Sequence, residues 1–150
     1  MRLTSPAFSE GESIPALYTC DGAAINPPLV IDDIPPRAVS LALVMDDPDS
    51  PGRTFVHWVA YDLDVTGRIE EGSHPGTGGL NDFGRTDYVG PCPHSGTHRY
   101  VFKFYALDQK IGREKGLNKD ELLTAIEGHI IARGELIGRY SREDSAGDDR

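Results

Sequence analysis

Three stretches of this 150-residue chain carry side chains that could hold a charged group or move a proton. The first is Asp46-Asp47-Pro48-Asp49-Ser50-Pro51. Proline fixes φ there, and aspartate oxygens accept from nearby backbone N–H groups, so the run reads as a rigid turn. The second is His57, inside a hydrophobic stretch. The third is Gly90-Pro91-Cys92-Pro93-His94-Ser95-Gly96-Thr97-His98-Arg99-Tyr100, a Pro/Gly loop that feeds a strand. Side chains alternate along a strand, so His98 and Tyr100 share one face. Taken singly, each stretch has a plainer reading: a solvated turn, a core histidine, an ordinary loop.

Two imidazoles beside a carboxylate suit an oxyanion. Each ring can donate to it, while the carboxylate fixes the tautomer and favours the protonated form. The same residues offer an enzymatic alternative, a hydrolase built on a metal held by Asp47, His57 and His98, or on Cys92 as nucleophile with His98 or His94 as base. None of these residues shows a local ligand spacing such as HExxH. A thiol between two prolines also has no evident group to orient its base. The leading expectation is therefore a noncatalytic anion-binding site, with no enzyme activity, metal or cofactor.

The surrounding elements must bring these stretches together. Residues 39–45 form a short, nearly continuous apolar run, which suits a strand buried on both faces. Residues 54–63 are rich in β-branched and aromatic side chains, and 100–107 (YVFKFYAL) are the clearest strand. Between them, residues 66–97 are polar and rich in Gly and Pro, and are expected to form a long functional loop that Phe83 and Tyr88 pack onto the body. Asn118 and Glu121 resemble a capping box, and Leu122, Ile126 and Ile130 recur at i, i+4, i+8. This predicts a helix over 119–133 that stops near Gly134, then a short strand over 135–140. The expected fold is mostly β, an antiparallel sandwich with one main helix late in the chain and its loops gathered at one end.

The three stretches in this order, together with Tyr18-Thr19-Cys20-Asp21-Gly22, Asn81-Asp82-Phe83-Gly84 and Glu135-Leu136-Ile137-Gly138-Arg139-Tyr140, resemble the phosphatidylethanolamine-binding protein family. The similarity is to its bacterial and archaeal branch, called YbhB/YbcL or Raf-kinase-inhibitor-like. It covers nearly the whole chain and implies a β-sandwich over residues 1–140 with a shallow pocket for phosphate-like and carboxylate-like groups. Carried over residue by residue, Asp47 is the acid, Pro51 and Pro91 are walls, and His57 and His98 are the imidazoles. Gly90 and Tyr100 match positions whose backbone N–H groups meet the anion. His94 stands where many relatives have a further proline, which makes the rim more polar. Relatives are described as modulators of kinases or proteases, so the resemblance also implies a protein partner of that kind, and a homodimer.

The bulk properties fit a single globular domain, with 38% hydrophobic and 26% charged residues, 17 Gly and 11 Pro. A net charge of −9 argues against a nucleic-acid partner, so any anion must meet a local, fixed positive potential. No stretch approaches 18 apolar residues and the first ten lack a signal-peptide layout, so no transmembrane segment and a cytoplasmic setting are expected. Cys20 and Cys92 are expected to be free thiols. Residues 141–150 form an acidic segment without a large apolar side chain, expected to be a flexible tail.

Overall fold

The apolar runs do become strands, in a computed structural model that describes residues 1–142. The chain forms β1 (Arg2–Thr4), β2 (Leu29–Asp32), β3 (Ser40–Asp47), β4 (Phe55–Leu63), β5 (Arg68–Ile69), β6 (Thr77–Gly78), β7 (His98–Leu107), helix α1 (Lys119–Ile126) and β8 (Ile130–Tyr140). A five-stranded sheet has the order β6-β4-β3-β7-β8, and a three-stranded sheet the order β1-β2-β5. All the strand pairings are antiparallel.

β3 lies between β4 and β7 and is buried along all eight residues, which explains its lack of polar alternation before Asp46. Leu41, Leu43 and Met45 face a core shared with Leu3, Leu29 and Ile31 of the small sheet. Ala42 and Val44 face the opposite way, into a core completed by Leu122 and Ile126 of α1. The large sheet is thus covered by the small sheet on one side and by the helix on the other.

The long stretch 66–97 is not wholly irregular. It contributes β5 to the small sheet and β6 to the large one, each a strand of two residues. The helix is shorter than its periodicity predicts. Its N-terminus is as expected, with a capping box in which Asn118 Oδ1 accepts from Glu121 N–H and Glu121 Oε1 accepts from Asn118 N–H. Its C-terminus comes at Ile126, because Gly128 takes φ of +82° and turns the chain out. Ile130 is the first residue of β8 and pairs with Leu107. The last strand therefore runs 130–140, where 135–140 was expected. An Ile at i+4 suits a helix face and a strand equally, and a full-length partner in β7 decided between them.

The second correction concerns the cysteines. Cys20 and Cys92 form a disulfide, with S–S 2.08 Å and Cα–Cα 5.5 Å. Their two segments already run side by side: Cys20 N–H donates to the Pro91 carbonyl at 3.1 Å, and Tyr88 Oη donates to the Tyr18 carbonyl at 2.7 Å. The pairing follows from that contact between distant segments, which spacing along the chain does not reveal. No described helix is long and apolar enough to cross a membrane. The expected tail, 141–150, lies outside the described residues beyond Arg142.

Candidate functional site

The inward stripes of β3 and β7 both turn polar at the same end. On β3 the series Leu41, Leu43, Met45 ends in Asp47; on β7 the series Ala106, Phe104, Phe102 leads to Tyr100 and then His98. Alternation alone puts all of them on one face. β4 reaches the same place differently. Met45 pairs with Trp58 and Asp46 with Val56, so His57 is an extra residue in a β-bulge. Trp58 and Ala60 belong to the core under the small sheet, while Val56, Val59 and Tyr61 face the helix. The bulge therefore turns two successive side chains, His57 and Trp58, to the site's face.

Asp47, His57, His98 and Tyr100 line one cavity of about 360 Å³, with Pro51 from the β3–β4 turn. Asp47 is 3% exposed, and both its oxygens are used. Oδ1 accepts from Asp49 N–H at 2.8 Å, and Oδ2 from His98 Nδ1–H at 2.6 Å. The second is a charge-assisted bond that fixes the His98 ring and leaves its Nε2 for a ligand. Tyr100 stands against both rings, edge-on to His57 at 5.3 Å between centroids and stacked with His98 at 6.4 Å. Burial, then the Asp47 charge and its hydrogen bond, push the Tyr100 hydroxyl far above the ordinary phenol range. Tyr100 stays neutral.

His57 differs from the expectation that both imidazoles meet the anion alike. Its Nδ1 lies 2.8 Å from the Val89 carbonyl, which can only accept, so Nδ1 carries the hydrogen. Burial pushes this imidazole below the ordinary histidine range, against the pull of the Val89 carbonyl and of Asp47, Asp46 and Asp82. The neutral ring presents Nε2 as an acceptor.

Two neighbours of Asp47 hold the site in place. Asp49 receives Arg99 Nε and Nη2 at 2.9 and 2.8 Å, and the Arg99 backbone N–H at 2.8 Å, which ties the acidic turn to β7. The Arg99 guanidinium holds the Asp49 carboxyl down to about 2. Asp46 points to the other face and accepts from Lys119 at 2.8 Å and Lys103 at 3.3 Å. Adjacent acids thus serve opposite sides of one sheet.

Gly90 and Pro91 stand behind the wall rather than in it. Both are buried; a Cβ on Gly90 would come within 2.4 Å of the Tyr18 carbonyl oxygen, and Pro91 accepts from Cys20. The cavity wall there is Cys92, Pro93, His94 and Ser95, the next four residues. Cys92 enters it as a disulfide sulfur, which takes away the thiol that a nucleophile needs. Among the described residues, no three His, Cys, Asp or Glu side chains gather as a metal site.

Sequence reasoning missed Phe55 and gave Phe83 only a packing role, yet both line the cavity. Phe83 packs edge-on to Phe55 at 4.8 Å and to His57 at 5.1 Å. The signal for Phe55 was its i, i+2 spacing to His57 on a strand. Phe83 is delivered by Asn81, whose Nδ2 donates to the His57 and Asp87 carbonyls and whose Oδ1 accepts from Phe83 and Arg85 N–H.

The model of the family described as phosphatidylethanolamine-binding protein matches residues 4–141. A protein of Methanothermobacter thermautotrophicus, named UPF0098 protein, is 44% identical over 153 residues, spanning 95% of this chain and 99% of its own. One from Chlamydia trachomatis with the same name is 43% identical over 150 residues, spanning 95% and 100%. Among solved structures, a phosphatidylethanolamine-binding protein homologue of Chlamydia trachomatis superposes with TM-score 0.91 at 44% identity, covering 93% of this chain and 96% of that one. YbcL of E. coli, described as a new member of the mammalian family, superposes with TM-score 0.85 at 25% identity, covering 93% and 97%. With its fold, its motifs and its relatives agreeing over nearly its whole length, the chain belongs to the phosphatidylethanolamine-binding protein family.

Proposed function

We propose that the chain is a noncatalytic binding protein whose pocket takes a phosphate-like or carboxylate-like group, free or carried by a protein partner such as a kinase or protease. The observation that carries this reading is the convergence of Asp47, His57 and His98 from three strands on one cavity, with His98 locked onto a buried carboxylate. A ring fixed in this way donates from Nε2 in one direction when it carries both ring hydrogens, and the serine hydroxyls of Ser50 and Ser95 add rotatable donors around it. Such donors work without a net positive surface, which a chain of charge −9 lacks.

A small anion held by two or three hydrogen bonds, worth roughly 1.5–3 kcal/mol each when charge-assisted, binds weakly once association entropy is met. The group recognised is therefore read as part of something larger, and the aromatic rim of Phe55 and Phe83 gives the rest of it a surface. Calorimetric titration with phosphate and with acetate tests this, beside the His98→Ala variant. Binding of either anion that vanishes in the variant supports the reading; wild-type protein that takes up neither sinks it.

A further inference from the structure

Both halves of the disulfide reach the surface from buried surroundings. Cys20 and Cys92 are exposed, although Tyr18 and Thr19 before the one, and Pro91 and Pro93 on either side of the other, are buried. Cys92 also brings the bond into the cavity wall. Disulfides that a thiol can reach are the labile and regulatory ones, because exchange requires an attacking thiolate to touch a sulfur.

The chain on each side of Cys92 is held without the bond. Upstream, Tyr88 Oη donates to the Tyr18 carbonyl and Cys20 N–H to the Pro91 carbonyl, and Gly90 lies so close to Tyr18 that no Cβ fits. Downstream, His98 pairs with Tyr140 of β8 and donates to Asp47. Between these anchors, residues 93–97 make no hydrogen bond to any described residue, and Pro93 alone of them is buried. His94, Ser95, Gly96 and Thr97 are exposed. Beyond the packing of Pro93, the disulfide is what ties this stretch of the wall to the turn around Asp21.

We propose that the Cys20–Cys92 disulfide is a thiol-exchange site, and that its reduction by a dithiol frees the 92–97 wall of the cavity while both sheets stay folded. One thiolate of the dithiol attacks a sulfur of the bond, forming a mixed disulfide and releasing the other cysteine as a thiolate, which takes a proton. The second thiol of the reductant then attacks the mixed disulfide and releases the remaining cysteine. Two electrons and two protons pass to the protein, and the reductant leaves as its own disulfide. Oxidation by a disulfide of the same class reverses the steps and closes the wall. None of this depends on which group the cavity takes.

The test treats the full oxidised chain with dithiothreitol, without denaturant, and counts free thiols by alkylation and mass spectrometry. Both cysteines should alkylate in the folded protein, at a rate that rises with the reductant concentration. Alkylation that waits for denaturant overturns the proposal. NMR relaxation of the reduced chain then reads the wall. Backbone order parameters of residues 94–97 should fall below about 0.6, while those of β3 and β7 stay near about 0.85, and reoxidation should restore the first. Values at 94–97 that do not move after complete reduction overturn the proposal. So does a loss of order in β3 and β7, which would make the bond a structural staple alone. Cys20→Ser with Cys92→Ser should reproduce the reduced pattern, and a folded variant that keeps the oxidised one overturns the proposal.

Discussion

Because the Asp47 carboxylate is buried, the bond from His98 Nδ1 serves the ligand and the fold together. Removing the ring leaves Oδ2 without that partner in a place water reaches poorly. We expect His98→Ala to weaken phosphate binding at least about tenfold and also to cost about 1–3 kcal/mol of stability, read by calorimetry and chemical denaturation. A residue placed only to meet ligand would lose the first and keep the second. Asp49 gives a pH-dependent test. Its carboxyl is held at about 2 by Arg99, below the ordinary 3.8. Its contribution is therefore full above the unfolded value and is lost as pH falls through about 2. The side chain is 30% exposed, so solvent screens the pair. Asp49→Asn should cost about 1 kcal/mol at neutral pH and nothing measurable once the carboxyl is protonated in both states.

The long loop is held to β4 by the β6 pairing, by backbone bonds at Gly79, Asp82 and Val89, and beside the site by the Asn81 side chain. Asn81 is 4% exposed and spans two carbonyls and two N–H groups, those of His57 and Asp87 and those of Phe83 and Arg85. Asn81→Ala should cost about 2–4 kcal/mol, as several buried backbone groups lose their partner at once. It should also weaken phosphate binding, because the same bonds set Phe83 and the bulge at His57. Denaturation and titration on one preparation check both. At the other end of the large sheet, Gly128 separates α1 from β8 with its positive φ. Gly128→Ala should cost about 1 kcal/mol there, while leaving phosphate affinity unchanged, since nothing at that turn lines the cavity.

Across the whole molecule, the end of the described chain closes on the early loop around Asp21, beside the site. Tyr140 Oη donates to Asp21 at 2.6 Å, Arg142 joins the same carboxylate, and the residue before Asp21, Cys20, is bonded to Cys92 in the cavity wall. The disulfide spans 72 residues. A loop of that length loses enough freedom in the unfolded chain for a stabilisation of about 2–4 kcal/mol. Reduction, or Cys20→Ser with Cys92→Ser, should lower the melting temperature by that measure and loosen the 92–95 wall. The expected readouts are a lower transition in a thermal scan and weaker phosphate binding at the same pH. Unchanged melting after complete reduction would show that the side-by-side packing of Tyr18, Tyr88 and Gly90 suffices without the bond.

What the sequence determined by itself was whatever follows from short-range periodicity. An apolar run made β3, alternation put His98 and Tyr100 on one face, and the Asn118/Glu121 pair set the start of α1. Each rests on geometry that repeats every two to four residues, and the sandwich class follows from the sum of such elements. What only the tertiary structure decided depended on partners far along the chain. Ile130 fitted a helix and a strand alike until Leu107 offered a ladder. The bulge at His57 exists through its mismatch with β3, and it alone turns that ring to the site and commits Nδ1 to Val89. Cys20 and Cys92 became a disulfide because two segments 72 residues apart pack together. A residue's type and its near neighbours fix what it can do; the long-range contacts fix the direction in which it does it.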